Sequence, residues 1–236
     1  MGSPIFVVGC GHSGTSLLLA ILGAHPLIHA IAGETYAASN RNRKQLEKAV
    51  RTFNAETILS GKKRWAEKTP KHIMVIREIL DWIPGSKIVL VIRDGRDVAL
   101  SISRRTGSLR KGIERWVNDN AAAEPYWNHP RVYKIKYEDI VGDFNHSIRG
   151  LTLFLEETFC PEMANFHEQE RHWYSPRIFK PEEYSTDSHR EFRNWQINQP
   201  LFNGSGNWKN SLNVEDLRMI NDIGGEMLRR TRYPAE

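Results

Sequence analysis

Pro4-Ile5-Phe6-Val7-Val8-Gly9-Cys10-Gly11-His12-Ser13-Gly14-Thr15-Ser16-Leu17-Leu18 runs from an apolar stretch through a Gly/Ser-rich turn into a second apolar periodicity. The order predicts strand, phosphate-cradling loop and helix. Such a loop aims several backbone N–H groups at one point, and the helix start adds the positive end of its dipole, so an anion belongs there. Gly9 and Gly14 have the spacing of the nucleotide-binding phosphate loop, but Thr15 stands where that motif carries the lysine that reaches the β- and γ-phosphates. What remains suits a smaller terminal anion held by N–H groups and by the hydroxyls of Ser13, Thr15 and Ser16. A glycine-rich turn that merely reverses the chain is the alternative.

A second stretch points to the same edge of a sheet. Lys87-Ile88-Val89-Leu90-Val91-Ile92 follows a Pro84-Gly85 turn and reads as a strand buried on both faces of a parallel sheet. It ends in Arg93-Asp94-Gly95-Arg96-Asp97, where a helix starts and where α/β sheets bind ligands. Ser101 follows on that helix, and an arginine with a hydroxyl can hold a phosphate monoester. Pairing of Arg93 with Asp94 or Asp97 is the competing reading.

Together the two stretches resemble the sulfotransferases that use 3′-phosphoadenosine 5′-phosphosulfate (PAPS). The loop His12-Ser13-Gly14-Thr15-Ser16 matches the element that holds the 5′-phosphosulfate, and Arg93 with Ser101 the pair that holds the 3′-phosphate. Glu67-Lys68-Thr69-Pro70, Lys136-Tyr137-Glu138-Asp139 and Gly204-Ser205-Gly206-Asn207-Trp208-Lys209 follow in the family's order. The bacterial, tyrosylprotein and heparan branch is the most similar. The resemblance implies an α/β fold: a single P-loop-like three-layer domain over 1–236, its mostly parallel central sheet flanked by helices. It implies a cofactor site at Gly11, His12, Ser13, Gly14, Thr15, Ser16, Arg93, Ser101, Tyr137, Gly206 and Lys209, with PAPS as cofactor, adenosine 3′,5′-bisphosphate (PAP) as product and no metal. His12 departs from the family, which carries Lys or Arg there to meet the transferring sulfonate; imidazole can donate to the same oxygen, with a charge that depends on pH near neutrality. His12 as a bystander stays open.

For the chemistry, the resemblance implies a base and a cation. Glu34, in Gly33-Glu34-Thr35 after His25-Pro26, occupies a place like that of the family's catalytic glutamate. His72, four residues after Lys68, is the rival base. Lys68 would bridge the leaving oxygen and the sulfonate. Tyr137 either packs near the adenine or belongs to the core, and Lys209 would bring charge to the 3′-phosphate. His167, His172, Trp173, His189 and Trp195 show no metal-ligand spacing and read as packing or acceptor-loop residues. A P-loop kinase and a non-catalytic nucleotide-binding protein are the other two classes, the first disfavoured by the missing lysine.

Composition agrees with an enzyme that handles a polyanion. The 236 residues carry 33 Lys+Arg against 28 Asp+Glu, a net charge of +5. No basic run interleaved with aromatics argues for nucleic acid. Two cysteines are too few for a disulfide framework, which predicts a reducing, cytoplasmic setting. Met1-Gly2-Ser3 leads straight into the first strand without signal peptide or membrane span, although an anchor ahead of this opening stays open. The acceptor class (small molecule, carbohydrate or peptide) and the oligomeric state are not encoded in any motif.

Alternating patterns continue along the chain. Strands are expected at Ile5–Val8, Trp65–Glu67, Lys87–Ile92 and Arg131–Lys136. Helices are expected at Thr15–Leu22, Lys44–Leu59, Pro70–Trp82, Asp97–Arg104, Gly112–Ala123, Asn145–Glu157 and, capped by Asn213, to about Thr231. From 160 to 203 the pattern fails, with Pro161, Pro176, Pro181 and Pro200, and this insert is expected on the acceptor side.

Overall fold

A computed structural model of the chain describes residues 1–176, 178 and 189–234. Its centre is a sheet in which every pairing is parallel. The strands are β1 (Ile5–Gly9), β2 (Ile28–Ala30), β3 (Arg64–Lys68), β4 (Lys87–Ile92) and β5 (Val132–Lys136). Their spatial order is β2-β3-β1-β4-β5. The register sets Val7 against Lys68 and Gly9 against Val91, so β1, β3 and β4 end at one edge.

Alternate residues of each strand enter different cores. Ile5, Val7, Val89 and Val91 pack with α1 (Thr15–Ala24) and α7 (Phe144–Leu155), through Leu18, Leu22, Ile148 and Leu151. Phe6, Val8, Ile88 and Leu90 pack on the other side with Trp65, Ile79, Ile113, Trp116 and Leu228. That side is covered by α2 (Arg43–Leu59), α3 (Ile76–Trp82), α4 (Gly95–Thr106), α5 (Leu109–Ala123) and α9 (Val214–Arg230). Each fully buried large aliphatic or aromatic side chain contributes about 1.5–3 kcal/mol, so two dry faces hold the sheet firmly. The layers are helices, sheet, helices.

Differences from the sequence expectations have local causes. β2 has three residues, too few for a periodic signal. The segment after Thr69 begins as a 3-10 turn, Pro70–Val75, before α3. A short helix, α6 (Tyr137–Gly142), that no periodicity announced starts at Tyr137, directly after β5. The 160–203 insert contains α8 (His189–Gln196), and its first part is well packed: Met163 and Phe166 are fully buried in the α1-side core. Arg171, its own titration lowered to about 10 by burial, donates to the carbonyls of Ala20, Phe166 and Gln169. Residues 177 and 179–188, Pro181 among them, lie outside the described residues. Asn213 caps α9 with the expected reciprocal bonds to Asp216. Among the described residues no helix is long and apolar enough to cross a membrane.

Candidate active site

The loop between β1 and α1 is shaped by what packs against it. His12 and Gly14 both take left-handed backbone, φ 72° and 92°, which for the non-glycine residue costs about 1–3 kcal/mol. A Cβ on Gly14 would stand 2.6 Å from Tyr137 Cδ2, and one on Gly11 would stand 2.7 Å from Arg115 Nη2. Both glycines therefore let a partner approach the loop backbone. Gly14 caps α1 without a side-chain hydrogen bond, leaving the first-turn N–H groups and the dipole end turned to the loop. The buried Ser13 hydroxyl has no protein partner. An orphaned hydroxyl, glycines and a helix start together fit a bound phosphate group.

Arg93 connects three pieces of chain. Trp116 Nε1 donates to its carbonyl at 3.0 Å. Its guanidinium lies 4.3 Å from the centre of the Tyr137 ring, donates to the His12 carbonyl at 3.1 Å and to the Gly204 carbonyl at 2.5 Å. The buried Nε has no partner. Asp97 Oδ2 stands 4.0 Å from Arg93 Nη2, an ion pair at the outer limit of contact, so the pairing expected of an acidic turn is present but loose. Asp94 binds Arg96 at 2.7 Å, and the oxygens of Asp97 accept the N–H groups of Gly206 (2.7 Å) and Trp208 (3.1 Å). Ser101 Oγ lies 2.9 Å from His12 Nδ1. Tyr137 closes this end, its hydroxyl accepting from the Gly204 N–H at 3.1 Å.

At the other end Glu34 is held by three donors. Lys68 Nζ (2.8 Å) and Arg193 Nη2 (2.5 Å) share Oε1, and the Tyr36 hydroxyl donates to Oε2 at 2.6 Å. Burial alone would raise this carboxyl; the Lys68 and Arg193 charges, with hydrogen bonds from Lys68 and Tyr36, outweigh it and hold Glu34 at about 2. Lys68, at the end of β3, is fully buried beneath the Tyr174 ring, 5.1 Å from its centre. Arg193 stacks on Tyr174 at 4.1 Å and also reaches Ser16 Oγ at 3.2 Å.

The cleft joining the two ends has a volume of about 520 Å³, and Gly11, His12, Gly14 to Ser16, Glu34, Arg93, Ser101 and Tyr137 all line it. Five expected site residues do not: Ser13 and Lys68 lie buried just behind the lining, and His72, Gly206 and Lys209 stand apart from it. His72 is fully buried, its Nε2 accepting from the Ala38 N–H at 3.1 Å while Nδ1 faces Glu67 at 3.1 Å. With both ring nitrogens engaged inside the protein, it braces the 70–75 turn. Lys209 is exposed, 5.6 Å from the Trp208 ring centre, and Gly206 serves the loop through its N–H to Asp97. Both cysteines are free; Cys10 is buried and its thiol is pushed up by burial and by Asp119. Among the described residues no group of three or more His, Cys, Asp or Glu is placed to hold a metal ion.

A family model described as "Sulfotransferase family" matches residues 4–60 and 49–161. That is more than half of the chain. The chain belongs to the sulfotransferase family. A Caenorhabditis briggsae protein named "Putative protein-tyrosine sulfotransferase" is 26% identical over 194 residues, 70% of this chain and 69% of that protein. An uncharacterized Aquifex aeolicus protein is 23% identical over 208 residues, 71% of this chain; the match spans only 27% of that relative's length. Among solved structures, the sulfotransferase domain from the curacin biosynthetic pathway superposes with a TM-score of 0.64 at 15% identity, covering 100% of this chain and 99% of that one. A mouse sulfotransferase complexed with PAP gives 0.63 at 18% identity, covering 96% and 85%. At such identities the likeness concerns the P-loop-like α/β fold.

In this sulfotransferase the cleft recruits residues that no motif marked. Arg104 and Arg105 line it one helical turn beyond Ser101, a spacing that could have flagged them. Arg115 enters from α5 and Tyr36 from the loop after Glu34. Phe192 and Arg193 come from α8, inside the insert that sequence periodicity left unassigned.

Proposed function

We propose that this sulfotransferase transfers a sulfonate from PAPS to a hydroxyl or amine acceptor by in-line displacement, with Glu34 as base. The supporting observation is convergence: Gly11, His12 and Gly14 to Ser16 of the loop, the Arg93–Ser101 pair and Glu34 line one cleft. The loop N–H groups and the Ser13, Thr15 and Ser16 hydroxyls would hold the 5′-phosphate, and Arg93 with Ser101 the 3′-phosphate. PAPS supplies the sulfonate: the acceptor atom bonds to sulfur while the bond to the phosphate oxygen breaks, that oxygen keeping the electron pair. Glu34, ionised between its cations, takes the acceptor proton. Lys68 steadies the charge that develops on the leaving side. Two free cysteines, one in the loop itself, fit a reducing compartment.

Two separate phosphate sites make a sharp test. Calorimetry in EDTA should show PAP binding that Arg93→Ala weakens by roughly 10- to 100-fold, the loss of a charge-assisted, bidentate contact. Equal affinity for adenosine 5′-monophosphate and PAP would overturn the assignment of Arg93 and Ser101 to a second phosphate.

A further inference from the structure

On that reading the sulfonate has to lie between the phosphate loop and Glu34, because in-line displacement sets the leaving oxygen and the acceptor on opposite sides of sulfur. One cation already spans this gap. Arg193 Nη2 donates to Ser16 Oγ on the loop side (3.2 Å) and to Glu34 on the base side (2.5 Å). Its guanidinium is kept in plane by the Tyr174 ring at 4.1 Å, whose hydroxyl also meets Ser16 Oγ at 3.1 Å. The phosphate loop, Gly11 to Ser16, carries neither lysine nor arginine. His12 has left-handed backbone, and its Nδ1 pairs with Ser101 Oγ at 2.9 Å, at the Arg93 end of the cleft.

We propose that Arg193 is a further catalytic residue, whose guanidinium moves from Glu34 onto the sulfonate and supplies from the insert the cation that the loop, with His12, does not. A planar fork of donors suits three equivalent sulfonate oxygens. The exchange also changes the base. Two cations on one carboxylate oxygen make Glu34 a weak proton acceptor; once Arg193 turns to the sulfonate, Lys68 is the one cation of that pair left on it, beside the Tyr36 hydroxyl, and its basicity rises as the donor arrives. The acceptor-side insert thereby becomes part of the transfer machinery.

The inference rests on the PAPS reading, and the two can fail separately. PAPS and PAP differ only in the sulfonate, so calorimetry with each isolates the contact. Arg193→Ala should lose roughly 10- to 100-fold in PAPS affinity while PAP affinity changes less than about threefold. Arg193→Gln, which keeps a donor and most of the shape, should show the same selective loss and serves if the alanine variant does not fold. Adding His12→Arg to Arg193→Ala should restore most of the PAPS affinity. Equal losses for both nucleotides would make Arg193 a brace for α8 and overturn the proposal, as would no loss for either. Lack of rescue by His12→Arg would overturn the replacement of loop charge by Arg193. A wild-type protein that binds neither nucleotide would instead sink the PAPS reading itself.

Discussion

At the phosphate-loop end of the cleft, positions are set by backbone: Gly14, with left-handed φ, leaves no room for a Cβ beside the Tyr137 ring, and Arg93 donates to the carbonyls of His12 and Gly204. At the Glu34 end, Glu34, Lys68, Tyr174 and Arg193 come from four separated stretches and meet through the tips of long side chains. Backbone-built sites tolerate little change in sequence and so leave short, readable motifs. Sites built from side-chain tips can be supplied from many places, and the sequence carries little trace of where. The first end is rigid because it sits on strand ends and helix starts; the second is held by ion pairs that a ligand can exchange.

The largest expected effect breaks the second end. Glu34→Gln keeps the shape and removes the proton acceptor, so transfer of label from PAPS, to whichever acceptor a screen of classes identifies, should fall by roughly 10²-fold or more. PAP affinity should barely move. His72→Ala is the control: it opens a buried hydrogen-bonded pair with Glu67, so stability should fall by about 3 kcal/mol, while the folded fraction keeps its turnover per molecule. Retained transfer in Glu34→Gln with loss in His72→Ala would reverse the two roles.

That contrast also explains how much was legible in advance. β4 was readable to the residue, because a run of six residues buried but for its first is an uninterrupted apolar signal. Helix starts at Thr15 and Asn213 were marked by glycine and by a capping box. β2 is too short to announce itself, and neither the family resemblance nor the spacing from Lys68 that points to His72 reveals that both its ring nitrogens are used internally. Lys209 was read as a phosphate ligand from a motif whose structural work is done by Gly206 and Trp208 N–H groups on Asp97. Arg193 belongs to a helix of eight residues in a proline-rich stretch, and its partners lie far off in sequence.

A second experiment sharpens the rigid end. Gly14→Ala carries both a left-handed φ and a clash with Tyr137, whereas Gly107, with φ 70°, has nothing within 4 Å of an added Cβ. Gly107→Ala should therefore cost about 1 kcal/mol in stability from the backbone alone. Gly14→Ala should cost about 2–3 kcal/mol, since the ring must also shift, and should weaken PAP binding as well. Equal melting-temperature losses for the two would mean that Tyr137 yields freely and that the loop is softer than its packing suggests.

Acid should separate the buried frame from the cleft. Glu67 is fully buried; burial raises its carboxyl, but His72 beside it and hydrogen bonds from His72, Thr69 and Thr35 prevail and lower it below its ordinary value of 4.5. A lowered folded value means stability that is complete above the ordinary value and lost as pH falls through the folded one. Urea titrations between neutral pH and about pH 3 should therefore show a steeper acid loss in the wild type than in Glu67→Gln. Parallel profiles would assign the acid loss to other carboxylates.

The smallest effect distinguishes holding a loop from contacting a ligand. Lys209 is exposed and rests against Trp208, which is itself covered by Arg96 at 3.8 Å and tied to Asp97 through its N–H. Lys209 is not among the residues that line the cleft, and a single exposed charge acting through water and salt contributes little. Lys209→Ala should change PAP affinity by less than about twofold. Asp97→Asn removes the charge while leaving an oxygen for only one of the two N–H groups it now binds, so the 204–208 loop should loosen and the Gly204 carbonyl should lose its register with Arg93. PAP affinity should then fall further in Asp97→Asn than in Lys209→Ala, although Asp97 brings a negative charge toward a polyanionic ligand. The reverse ranking, with Lys209→Ala the more damaging, would show that this loop acts by its charge and not by where its backbone is held.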